Sequence, residues 1–175
     1  CVRAAVVAAF VAPVLLAVPS ADAASSRSIN VRLEGEQEVP VISTGAEGRF
    51  RARISPDGSE IEYELSYEGL EGNVTQAHLH LGQKDVNGAI VIFLCTNLGN
   101  GPAGTQACPP APATVTGTIT ADDVISVPAQ GIAAGELDEI LAAIRDGLVY
   151  ANVHSEPFPA GEIRGQLKGS HRRHD

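Results

Sequence analysis

Two histidines separated by one residue, His78 and His80, occur in Ala77-His78-Leu79-His80-Leu81-Gly82, and a third, His154, lies in Tyr150-Ala151-Asn152-Val153-His154-Ser155-Glu156. A neutral imidazole offers one lone pair, and three that converge make a ligand set suited to zinc or copper. An extended strand alternates its faces, so His78 and His80 point to one side while Ala77, Leu79 and Leu81 point to the other. By the same alternation His154 shares a face with Leu148, Tyr150 and Asn152. The spacing therefore nominates His78, His80 and His154 as ligands of a copper or zinc ion, with Glu38 and Glu156 available as carboxylates. The competing reading of His154 is a core imidazole hydrogen-bonded to a backbone carbonyl.

Other chemistries find less support. Ser43, Ser66 and Ser155 stand outside any Gly-x-Ser-x-Gly nucleophile pattern. Most carboxylates alternate along strands as solvated ladders rather than as acid/base pairs. These residues favour a binding or structural module over an enzyme.

The elements that must position the histidines follow from composition and pattern. The chain has 175 residues and 44% hydrophobic content, room for one domain with a real core. Aromatic content is 4%, so Val, Ile, Leu and Ala must fill that core, and 18 Gly and 11 Pro imply many turns. Residues 1–23 read as an export signal: Arg3 precedes an apolar run, and Ala21-Asp22-Ala23 offers a cleavage site after Ala23. The run is short for a bilayer and is interrupted by Pro13 and Pro19, so no transmembrane span is expected after cleavage. The formal charge of −9 disfavours nucleic acid and anionic lipid and suits a periplasmic or extracellular protein that attracts cations. Cleavage leaves two cysteines, Cys95 and Cys108, an even count that favours a disulfide in an oxidising compartment. Asn73-Val74-Thr75 matches the glycosylation acceptor pattern, which matters only in a eukaryotic secretory pathway.

Pattern predicts strands at residues 28–33, 49–54, 60–65, 74–81, 113–120, 148–154 and 161–167, and the continuous apolar run 89–94 reads as a strand buried on both faces. Ser55-Pro56-Asp57-Gly58 supplies turn chemistry between the second and third. A loop of those four residues pairs Arg53 with Glu60, Arg51 with Glu62, Arg49 with Glu64, Ala52 with Ile61 and Phe50 with Tyr63. Leu137, Ile140, Leu141 and Ile144 form a helical stripe, acidic at its start and closed by Gly147, giving one short helix over about 135–146. The expected fold is mostly β: an antiparallel sandwich or barrel, immunoglobulin-like or superoxide dismutase-like, with that one helix.

Four ordered stretches carry a family resemblance. They are Leu33-Glu34-Gly35-Glu36-Gln37-Glu38-Val39-Pro40, the His78/His80 stretch with Asn87-Gly88, Gly117-Thr118-Ile119-Thr120-Ala121-Asp122-Asp123, and the run from Tyr150 to Leu167. Together they resemble the CHRD domain, the module named for chordin, over residues 28–168, with 169–175 as a polar tail. The resemblance implies an extracellular module whose ligand or protein partner is unspecified. Chordin's cysteine-rich growth-factor-binding modules have no counterpart here, so growth-factor binding does not carry over.

A shorter resemblance joins His78-Leu79-His80, Val153-His154-Ser155-Glu156-Pro157 and Gly161-Glu162-Ile163-Arg164 to copper/zinc superoxide dismutases. It implies His78, His80 and His154 as metal ligands, Arg164 as a guide for an anion, and a dismutase-like activity. This chain departs from that pattern: the loop after His80 holds no histidine to bridge two metals, no His/Asp zinc cluster is present, and the cysteine spacing differs. For Arg164 the alternative is an ion pair with an acidic neighbour.

Overall fold

Alternating apolar residues build eight strands in the computed structural model, which describes residues 28–168. The expected export signal at 1–23 and the expected polar tail at 169–175 lie outside the described residues. The strands are β1 (Ser28–Glu34), β2 (Glu47–Ile54), β3 (Ile61–Glu68), β4 (Val74–Leu81), β5 (Ala89–Thr96), β6 (Ala113–Ile119), β7 (Val149–Ser155) and β8 (Ile163–Leu167), with α1 (Leu137–Arg145) between β6 and β7. They form one antiparallel sheet in the order β5-β4-β7-β8-β1-β2-β3-β6. The sheet curls into a nearly closed barrel, and the segment after β6 returns to the β5 edge through the Ile125 amide donating to the Val91 carbonyl at 3.0 Å. The expected mostly-β architecture with one short helix is what the chain adopts, as one continuous sheet.

Phe50, Leu65, Leu79, Ala151, Val153, Ile163 and Leu167 belong to a single core, and α1 adds Leu137, Ile140, Leu141 and Ile144 to it. Val, Ile and Leu burial of this kind is the main stabilising term, roughly 1.5–3 kcal/mol for each large side chain. Gly147, in the left-handed region at φ 71°, turns the chain out of α1 toward β7.

Two sequence expectations shift. The β2–β3 loop holds six residues, because the Ser55 amide donates to the Glu60 carbonyl at 2.9 Å and Asp57 accepts from the hydroxyls of Ser55 and Ser59. Ser59 and Glu60 therefore join the turn, and the register becomes Arg53 opposite Glu62, Arg51 opposite Glu64 and Phe50 opposite Leu65. A displacement of two residues keeps every side chain on its expected face. Of the expected charge pairs, Arg51 meets Glu64 instead of Glu62, at 3.1 Å. The expected disulfide is present between Cys95, at the end of β5, and Cys108. Asn97 secures the loop it closes, its amide nitrogen donating to the Val74 and Cys108 carbonyls and its oxygen accepting from the Cys108 amide.

What positions the site is a difference between strands. β2 and β3 alternate buried and open residues, whereas every residue of β7 and β8 is buried. The second face of β4, β7 and β8 is covered by the segments that follow β1, β4 and β7.

Candidate metal centre

Antiparallel register sets His78 opposite Asn152 and Asn152 opposite Arg164, with His80 opposite Tyr150 and Tyr150 opposite Gln166. Directly opposed residues share a face. One polar layer on β4, β7 and β8 therefore holds His78, His80, Tyr150, Asn152, His154, Arg164 and Gln166, turned away from the apolar core. Every member is at least nine-tenths buried.

The three nominated histidines come together. Their candidate ligand nitrogens all lie within 4.8 Å of one another. His78 Nδ1 is 3.1 Å from His154 Nε2. The His78 ring also meets Phe93 edge-on, with centroids 4.5 Å apart, so an apolar wall closes that side.

Hydrogen bonds fix the tautomers. His80 Nδ1 lies 3.0 Å from the Gly88 carbonyl, and His154 Nδ1 lies 3.0 Å from the Pro159 carbonyl. A carbonyl only accepts, so in both rings Nδ1 carries the hydrogen and Nε2 keeps the lone pair. The carbonyl partner expected of a core histidine is thus present. It is also the outer-shell contact that orients a metal-ligating histidine. The free nitrogens separate the two readings: Nε2 of His80 and Nε2 of His78 are buried with no hydrogen-bond partner in the protein. A buried unpaired acceptor costs about 1–3 kcal/mol, a cost that a cation bound at His80 Nε2 removes.

Burial keeps the cluster neutral. It pushes His78 down to about 2, His80 down to about 4 and His154 down to about 4, with the neighbouring imidazoles adding to the shift of His78. Neutral imidazole is the ligating form. The donor set also fits by spacing. With metal–nitrogen bonds of about 2.0–2.1 Å, nitrogens 3.1 Å apart subtend about 100° at the ion. A widest separation of at most 4.8 Å reaches tetrahedral spacing after a closure of roughly 1.5 Å.

The expected carboxylates part company. Glu156 is exposed and accepts from the Asn73 amide at 3.0 Å, away from the histidines. Glu38 is buried, reaching in from the segment after β1 to accept from Asn152 Nδ2 at 2.6 Å. Burial pushes its carboxyl up to about 7, against the opposing pull of Arg164 and the Asn152 hydrogen bond.

Arg164 is 1% exposed. It donates to the Gln83 and Val86 carbonyls at 3.1 and 3.0 Å, to Asn87 Oδ1 and to Gln166 Oε1. Its guanidinium carbon lies 3.5 Å from the Tyr150 ring centroid, and Tyr150 stacks on His80 with centroids 4.7 Å apart and planes 5° apart. Instead of an ion pair, Arg164 makes a pillar with Tyr150 and His80, and it anchors the 82–88 loop that carries the Gly88 carbonyl.

Sequence reasoning did not single out Tyr150 and Asn152 as site residues, although they lie four and two positions from His154 on its own face. It also missed Glu162, fully buried, which accepts from Thr44 Oγ1 at 2.8 Å, the Glu71 amide at 3.0 Å and the Ser155 hydroxyl. Thr44 and Glu71 are remote from it in sequence, and no local pattern announces them.

The CHRD domain model matches residues 29–167. The chain belongs to the CHRD family. That match spans all eight strands of the CHRD domain and every member of its polar layer. No curated protein and no solved structure matches the chain. Among the described residues of this CHRD chain no helix is long and apolar enough to cross a membrane, and the Cys95–Cys108 bond is compatible with an oxidising compartment.

Proposed function

We propose that this chain is an exported CHRD-domain binding module whose ligand is one copper or zinc ion held by His78, His80 and His154, giving it a metal-handling or redox role outside the cytoplasm. The observation that carries this is the convergence of three buried, neutral imidazoles, two of them with a ring nitrogen that has no partner in the protein. The chain's own residues supply the rest. Gly88 and Pro159 orient two rings, Phe93 excludes water, and the Arg164–Tyr150 pillar holds His80 in plane. The acidic surface, with a formal charge of −9, favours cation approach. The export signal at residues 1–23 and the disulfide support a periplasmic or extracellular location. Arg164 is given no anion-guiding role, because its guanidinium is directed at loop carbonyls and at Tyr150.

Metal analysis of the protein exported in its native compartment, and of apoprotein reloaded with Cu(II) or Zn(II), tests this. The wild type is expected to hold one equivalent and His80→Ala to hold none while keeping its β circular dichroism. Wild type without stoichiometric metal returns the chain to a binding or structural module for another ligand.

A further inference from the structure

Three histidines leave at least one position open on a four-coordinate ion, and one more buried polar atom in the same layer has no partner. Asn152 is 2% exposed, and its Oδ1 makes no hydrogen bond within the protein. The residue sits between Tyr150 and His154 along its own face of β7 and directly opposite His78 on β4. Its orientation is given by Glu38, whose ionised carboxylate only accepts: Glu38 Oε1 takes the Nδ2 hydrogen at 2.6 Å, which turns Oδ1 the other way.

The approach of these two side chains is built into the backbone. Gly161 has φ 131°, and a Cβ there would collide with Asn152 Nδ2 and lie 2.5 Å from Glu38 Oε1. Only glycine lets the Glu38 carboxyl reach Asn152.

We propose that Asn152 Oδ1 is the acceptor of a ligand subsite beside the histidine cluster, oriented by Glu38, and that this subsite selects a ligand bearing a hydrogen, a water or hydroxyl-type group, over an acceptor-only anion. The inference rests on the metal reading above and adds what the open position takes. A hydrogen-bearing ligand removes the orphaned acceptor, whereas an acceptor-only anion would set two lone-pair-bearing atoms against each other in a buried site. Asn152 is then a binding residue, and Glu38 a positioning residue that acts through it.

The test uses protein loaded with one equivalent of Cu(II), or with Co(II) as the spectroscopic stand-in for zinc, and titrates azide, which carries no hydrogen, against the visible absorption. Asn152→Leu is expected to bind azide about five- to tenfold more tightly than wild type, the worth of roughly one hydrogen bond. Glu38→Gln, which frees the amide to turn, should shift azide affinity in the same direction by less, at unchanged metal stoichiometry. Equal azide affinities in fully loaded wild type and variants would overturn the subsite while leaving the metal centre standing. Wild type that takes no metal overturns both. Should Asn152→Leu fail to fold, Glu38→Gln decides alone, and an unshifted azide affinity in it counts against the proposal.

Discussion

His78 Nδ1 and His154 Nε2 face each other at 3.1 Å across two paired strands, although 76 residues separate them in the chain. His154 Nε2 carries no hydrogen, so in the metal-free protein His78 Nδ1 donates to it. A bound ion, with bonds of about 2.0–2.1 Å, would be held by these rings in place of that shared hydrogen. Replacing either ring should therefore cost more than the about 10- to 100-fold in affinity typical of outer-shell changes. Titration of His154→Ala with Zn(II) against a competing chelator checks this, and affinity within tenfold of wild type would remove His154 from the ligand set.

Acid should loosen the metal-free fold. The three histidines have folded values depressed from 6.5, to about 2, 4 and 4, so the unfolded chain takes up their protons first as pH falls below 6.5. Their stabilising contribution is full above 6.5 and is lost as pH falls toward the folded values. Glu38 acts in the opposite sense: raised from 4.5 to about 7, it contributes fully below 4.5 and loses that contribution as pH rises through about 7. Between 4.5 and 6.5 the unfolded state gains three protons against one held by the folded state. Stability should then fall by roughly 2 kcal/mol between pH 6.5 and 5.5, where the unfolded histidines are only partly protonated. Urea unfolding of apoprotein at pH 6.5 and 5.5 measures it, and a flat profile contradicts the burial of these rings as neutral groups.

The strand pattern and the histidine face were legible in the sequence because alternation is local. Ala77, Leu79 and Leu81 must face a core, which turns His78 and His80 together to the other side. The hairpin register was not legible to the residue, since Ser59 and Glu60 join the turn only through hydrogen bonds made by Ser55 and Asp57. The burial of Glu38, Glu162 and Arg164 was illegible for another reason. Each is covered by segments distant in sequence, and charged residues in a strand pattern otherwise read as solvent-facing.

Arg164→Ala should destabilise the protein by about 3 kcal/mol, because the Gln83 and Val86 carbonyls lose a buried donor and Tyr150 loses its cation. Arg164→Lys should recover only part of this, since an ammonium cannot match the planar fork and stack. Hydrogen exchange should quicken at residues 83–88 before it does in β2 and β3. Unchanged exchange in that loop would contradict the anchoring role.

Removing the disulfide by Cys95→Ala with Cys108→Ala should cost about 3 kcal/mol, the loop-closure value for a separation of 13 residues. The metal stoichiometry should persist, because Cys95 pairs with Ala77 on the core side of β4, the face opposite to the one that carries His78 and His80. Denaturant unfolding with parallel metal analysis separates the two effects, and loss of metal binding with an intact fold would contradict that independence.

The most direct test of the centre is nuclear magnetic resonance of the 15N-labelled imidazoles during titration with Zn(II). In the metal-free protein His80 and His154 should show hydrogen-bearing Nδ1 and bare Nε2, and one equivalent of Zn(II) should shift both Nε2 signals together with one nitrogen of His78, then saturate. Ring nitrogens of these three histidines that stay unmoved at one equivalent would contradict the metal centre.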